Sequence, residues 1–224
     1  MHPLDNPVWH SLRTRHASLA RVCGGAARYP SDVAPFVAVA SGGPETGENF
    51  AELVAKDESV LVVGPCPGLG SNWNVQTPVP IAQMVCNAPL ESRLGPALTE
   101  LSAPHLPDML ALTALVYPHY FRPRTPQMGR YLGIYDGDVL AAMAGERMGF
   151  DGHQEISAVC THPRYLGRGY AQRLVVELSN ASLASGRLPF LHVSHENLRA
   201  KSLYERLGYV DRADILLWSV QRLA

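Results

Sequence analysis

Apolar residues recur at helical spacing in some stretches of the chain and at alternate or continuous positions in others. Residues 168–185 are the clearest helical case. Ala171, Leu174, Val175 and Leu178 fall on one side, and Gly186 follows as a stop. Residues 106–116 read as a second helix, ended by Pro118. Residues 198–207 read as a third, with Asn197 placed to cap it and Gly208 just beyond. Between them, residues 131–148 form two strands joined at Asp136-Gly137, a pair suited to a hairpin turn. Residues 155–161, 189–194 and 214–221 are further strands.

The first half is more broken. A helix starts after Asn6 with Pro7 in its first turn, carrying Trp9, Leu12, His16 and Leu19 on one side. Strands fall at 33–40, 59–64 and 81–86, and a short helix at 49–57. The Gly- and Pro-rich stretches 41–49 and 64–74 are surface loops, and loop continues to Ser102. The order in the second half is helix, hairpin, strand, helix, strand, helix, strand, which makes a mixed α/β sheet. A boundary near residues 95–102 divides an N-terminal α/β region, 1–98, from a second unit, 99–224.

Composition narrows the partners. The 224 residues suffice for a proper core, and 46% hydrophobic with 17% charged residues is ordinary for a globular chain. A formal net charge of -1 supplies no general attraction for nucleic acid or an acidic membrane, so any anion site must be local. No apolar run approaches the roughly 20 residues that span a bilayer, and the N-terminus lacks the pattern of a signal peptide. Cys23, Cys66, Cys86 and Cys160 are scattered, which points to reduced thiols in a cytoplasmic compartment. With no C-x-x-C or H-E-x-x-H pair, and with adjacent strand residues facing opposite ways, the Cys160/His162 and His192/His195 groupings give no metal site.

The stretch THPRYLGRGYAQ, residues 161–172, links the strand at 155–161 to the long helix. A helix N-terminus offers unpaired N–H groups and the positive end of its dipole. Glycines there let the backbone approach an anion closely. A Walker A loop would need Lys-Ser or Lys-Thr after the glycines, and a dinucleotide fingerprint would need a third small residue where Gln172 stands. The pattern [QR]-x-x-G-x-[GA] is met at every position by Arg164-Tyr165-Leu166-Gly167-Arg168-Gly169.

Downstream, residues 197–209 (NLRAKSLYERLGY) match the series N-x-x-A-x-x-L-Y-x-x-L-G-[FY]. Together with the strand ending V-C-T-H-P, this resembles the GNAT superfamily of acyl-CoA-dependent N-acetyltransferases over residues 100–220. The resemblance implies a mostly antiparallel mixed sheet flanked by helices, with residues 1–98 as a degenerate copy of the same fold. It implies acetyl-CoA as co-substrate, no metal, and direct transfer to an amine of a small molecule or peptide. Carried over residue by residue, backbone groups of Leu166, Gly167, Arg168, Gly169, Tyr170 and Ala171 would cradle the CoA pyrophosphate. Val159, Cys160 and Thr161 would pair with the pantetheine arm, and one N–H there would polarise the thioester carbonyl.

Tyr204 matches the tyrosine that protonates the departing thiolate, although packing against Ala200 would also account for it. Asn197 either contacts the pantetheine arm or caps its helix. Glu155 is the candidate general base, against the alternative of an exposed strand-end carboxylate, with Glu146, His192 and His195 in reserve. Arg122 and Arg124 fall where family members build part of the acceptor pocket, and either hold a substrate carboxylate or stand on a solvated loop, the more usual case for a lone pair of arginines. A non-catalytic CoA-binding or regulatory module on the same fold is the rival function.

Overall fold

In the computed structural model, which describes residues 2–43, 45–92, 94–118 and 120–223, short strands and helices alternate through the first half and longer ones through the second. In chain order they are α1 (Pro7–Arg13), β1 (Arg21–Cys23), β2 (Ala26–Arg28), β3 (Val37–Val39), α2 (Glu45–Leu53), β4 (Ser59–Val63), β5 (Trp73–Val75) and β6 (Val79–Val85). Then come β7 (Thr99–Glu100), α3 (Leu106–Val116), β8 (Tyr131–Asp136), β9 (Val139–Phe150), β10 (His153–Thr161), α4 (Tyr170–Ala184), β11 (Leu188–Ser194), α5 (Leu198–Leu207) and β12 (Val210–Arg222).

β1, β2 and β3 make a small antiparallel sheet. The other nine strands form one large sheet in the order β4-β12-β6-β11-β10-β9-β8-β7, with β5 also pairing with β12. Every pairing in it is antiparallel except β10 with β11. The mixed sheet expected from the pattern, mostly antiparallel as the resemblance implied, is therefore present. β6 lies between β11 and β12, so residues from either side of residue 98 share one sheet.

Each face of the large sheet is covered. Leu174, Val175 and Leu178 of α4 pack on Leu132, Ile134, Ala142, Ala144, Leu191 and Val193. On the opposite face, Val8 and Leu12 of α1 join Tyr29, Phe36, Phe150, Phe190 and Ile215. Fully burying side chains of this size stabilises the fold by about 1.5–3 kcal/mol each. The helix ends follow their residues. Gly186 (φ 73°) and Gly208 (φ 103°) adopt the left-handed conformation that stops α4 and α5.

α1 is shorter than the periodicity suggests. It ends at Arg13, so His16 and Leu19 are not on it. The chain breaks there because His16 turns inward to Ser11 Oγ (2.9 Å) and the Tyr29 hydroxyl (2.8 Å). None of the described residues lies in a helix long and apolar enough to cross a membrane. All four cysteines are unpaired.

Candidate active site

β10 and β11 begin side by side and then separate. Their parallel pairing covers only His153↔Leu188, Gln154↔Pro189 and Glu155↔Phe190; beyond that point β11 continues against β6. On its other edge β10 loses register with β9 between Ser157 and Cys160, and Ala158 in that gap has φ 50°. A bulge at this place bends the strand away and re-aims its backbone groups. The result is a wedge-shaped opening whose β10 wall carries backbone donors and acceptors without a strand partner.

The loop after β10 closes one end of the opening. Gly167 (φ 80°) and Gly169 (φ 75°) both take the left-handed conformation, and a Cβ on either would meet nothing within 4 Å. Backbone angle, not crowding, requires glycine here. Gly169 caps α4, and among the described residues no side chain bonds to the first-turn N–H groups. Those donors and the positive end of a 15-residue helix point outward at the loop.

α5 forms the third wall. Asn197 Oδ1 accepts from the Ala200 N–H at 3.1 Å, so Asn197 caps the helix while also facing the opening. Tyr204 is buried, its ring 6.0 Å from that of Tyr209. Burial, reinforced by nearby Cys160, raises its phenol pKa and keeps it protonated.

These walls enclose a cavity of about 400 Å³, within the usual range for ligand sites. Val159, Thr161, Leu166, Gly167, Gly169 and Tyr170 line it, with Ala171, Asn197 and Tyr204. Cys160 and Arg168 do not. Cys160 turns to the other side of the strand, where burial pushes its thiol up to about 12. Arg168 lies over the Tyr165 ring at 4.9 Å. Arg199 and Arg206 also line the cavity and were not singled out from the sequence; their i, i+7 spacing on one helix face was the available signal.

Glu155 sits at the last paired position before the strands part, and is fully buried rather than exposed. Its carboxylate receives Arg147 Nε at 2.8 Å, Arg147 Nη2 at 2.6 Å, His192 Nδ1 at 2.7 Å and the Met148 N–H at 3.2 Å. Burial alone would raise its pKa. The Arg147 charge and the hydrogen bonds from Arg147 and His192 outweigh that and hold it at about 2.

The partners of Glu155 extend across the sheet. Arg212 Nη1 donates to Gln83 Oε1 at 2.8 Å, which orients the Gln83 amide so that its NH₂ faces His192 Nε2 at 3.0 Å. His192 Nε2 is then an acceptor and Nδ1 carries the proton given to Glu155. His195 is elsewhere, exposed and 2.7 Å from Asp214. Glu146 is buried and accepts from the Arg130 N–H at 3.2 Å. Arg124 is committed on the surface to Asp32 (3.2 Å) and Gln127 (2.9 Å), and neither it nor Arg122 lines the cavity. Among the described residues, no group of three or more His, Cys, Asp or Glu side chains is placed to hold a metal ion.

The chain matches a family model described as FR47-like protein over residues 131–218. It is similar over its whole length to a protein of Novosphingobium aromaticivorans assigned to the GNAT family of acetyltransferases: 32% identity, 100% of both chains covered, TM-score 0.91. A GCN5-related N-acetyltransferase of Kribbella flavida shares the fold at 18% identity and TM-score 0.61, covering 94% of this chain and 91% of that one. A GCN5-related N-acetyltransferase-like protein of Streptococcus suis does so at 15% identity and 0.58, covering 96% and 92%. No curated protein matches the chain.

Proposed function

Because this chain belongs to the GNAT family of acetyltransferases, we propose that it moves an acetyl group from acetyl-CoA directly to an amine of a small molecule or peptide. One observation carries this reading: the parted strands, the left-handed glycines and the buried Tyr204 all open on one cavity. The residues present fit the co-substrate. The uncapped end of α4 and the open space beside Gly167 and Gly169 suit a pyrophosphate, and Arg199 and Arg206 supply positive charge nearby. When bound, acetyl-CoA supplies an activated thioester.

The chain's own groups would then act as follows. Leu166, Gly167, Gly169, Tyr170 and Ala171 hold the pyrophosphate through backbone N–H groups. Val159 and Thr161 present the free edge of β10 to the pantetheine arm as a neighbouring strand would. A bulge N–H at Val159 polarises the thioester carbonyl. Tyr204 gives its proton to the departing sulfur: its raised pKa keeps the phenol protonated until the bond breaks, and the proton that the acylated nitrogen gives up to solvent restores it afterwards. Glu155 serves here by holding Arg147; at about 2 its pKa is too low for an efficient base at neutral pH. The unpaired cysteines support a reducing, cytoplasmic setting.

Isothermal titration with acetyl-CoA is the test, and absence of binding at high micromolar concentration would sink the proposal. Binding with no thiol release against any amine, and no effect of Tyr204→Phe, would favour a regulatory CoA-binding module.

A further inference from the structure

Tyr131, Gly145, Arg147 and Glu155 share one face of the strands β8, β9 and β10. Tyr131 stands opposite Gly145, and Arg147 follows two residues on, on the same side. A Cβ at Gly145 would lie 2.2 Å from the Tyr131 ring, so the ring lies flat over the glycine. The Tyr131 hydroxyl is buried, and among the described residues it has no hydrogen-bond partner. Arg147 gives Nε and Nη2 to Glu155, and among the described residues no acceptor meets Nη1.

Two donors on one face thus lack acceptors. Their surroundings are aromatic. The Arg147 guanidinium lies 5.0 Å over Phe36, Tyr120 stacks parallel to Phe36 at 6.4 Å, and Tyr117 is 5.1 Å from Tyr120. Phe121 meets Tyr131 edge-on at 5.7 Å. The cluster adjoins the cavity through β10. Tyr131 packs in one group with Cys160, whose neighbours Val159 and Thr161 line the cavity, and Val116 at the end of α3 lines it too.

We propose that Tyr131 Oη and Arg147 Nη1 bind the carboxylate of the acyl acceptor, and that the acceptor is an α-amino acid with an apolar or aromatic side chain. This rests on the acyltransferase function argued above and names its substrate class. The charges of Arg147 and Glu155 cancel, so any anion adds net negative charge and a singly charged planar group costs least. A phosphate dianion would leave excess negative charge in a dry site. An amine without the carboxylate would cover both donors and leave them unpaired, and sites of that kind reject the deficient analogue strongly.

Thiol release from acetyl-CoA should be measured with matched sets: an amino acid, its amide and its decarboxylated amine, built on glycine, leucine, phenylalanine and tyrosine. The expected order within at least one set is acid, then amide, then bare amine, with kcat/KM for acid and bare amine differing by about a hundredfold or more. Tyr131→Phe, and Arg147→Lys, which keeps a charge facing Glu155, should each raise KM for the acid by about tenfold, with the acetyl-CoA Kd unchanged. Equal or better use of the bare amines, no member accepted while acetyl-CoA still binds, or an unmoved KM in both variants would overturn this assignment. Loss of acetyl-CoA binding in the wild-type chain would overturn the acyltransferase function itself.

Discussion

Arg147 meets both oxygens of Glu155, Nε to Oε2 at 2.8 Å and Nη2 to Oε1 at 2.6 Å, at the last rung before β10 and β11 part. The pair pins the two sides of the β9–β10 hairpin at the edge of the opening. Its strength has a measurable pH signature. The Glu155 carboxyl is held at about 2 in the folded chain against an ordinary 4.5. A depressed pKa contributes stability that is fully present above the unfolded value and lost as pH falls through the folded one. About 3 kcal/mol should therefore disappear between pH 4.5 and 2. Urea midpoints measured down that range should fall, and Glu155→Gln should flatten the fall.

Glu155→Gln should itself destabilise the chain at pH 7 by about 3–5 kcal/mol, because it leaves the Arg147 charge buried without its counterion. Equilibrium denaturation measures this. A loss below 1 kcal/mol would mean that the guanidinium finds water when the carboxylate is gone.

Gly169→Glu should weaken acetyl-CoA binding by more than tenfold, whereas Arg168→Ala should change it by no more than about threefold. At Gly169 the left-handed backbone costs a side chain about 1–2 kcal/mol, and a carboxylate would repel the pyrophosphate. Arg168 lies over the Tyr165 ring and outside the cavity wall, so its removal costs little. Titration calorimetry on both variants checks the contrast.

Tyr204→Phe should lower kcat for acetyl transfer by about a hundredfold or more and leave the acetyl-CoA Kd within twofold. The ring stays in place in the core and only the proton donor is lost. Equal kcat values for the two proteins would remove Tyr204 from the chemistry.

Gly145→Ala should destabilise by about 1–3 kcal/mol, since its Cβ would drive into the Tyr131 ring from across the strand pair. Thermal melts compared with Gly137→Ala would separate the two causes. At Gly137 a Cβ meets nothing within 4 Å, and only the positive φ of 59° is at issue.

The second half of the chain was legible because its elements are long and its punctuation is glycine: α4, α5, β8, β9 and β11 fall where spacing placed them. β1, β2, β5 and β7 were not, since strands of two or three residues offer no alternation to read. The loop glycines could be placed on a helix N-terminus from order alone. Arg147 was missed because an arginine within a strand reads as a solvated position. The near-opposite placement of Arg147 and Glu155, four and three residues outside the Asp151-Gly152 turn, was the clue that would have paired them. The shared sheet was hidden for a different reason: pairing between residues far apart leaves no local trace.

That shared sheet sets a timetable for synthesis. β6 leaves the ribosome early, yet one of its neighbours is β11 and the other is β12, made after every other strand of this sheet. Until Val210–Arg222 emerges, β4, β5 and β6 all lack the strand they pair with in common. Exposed strand edges of that kind invite self-association. The 13-residue final strand is thus the latch of the molecule. A nascent chain stalled before it would carry a finished glycine loop on a sheet that cannot yet close.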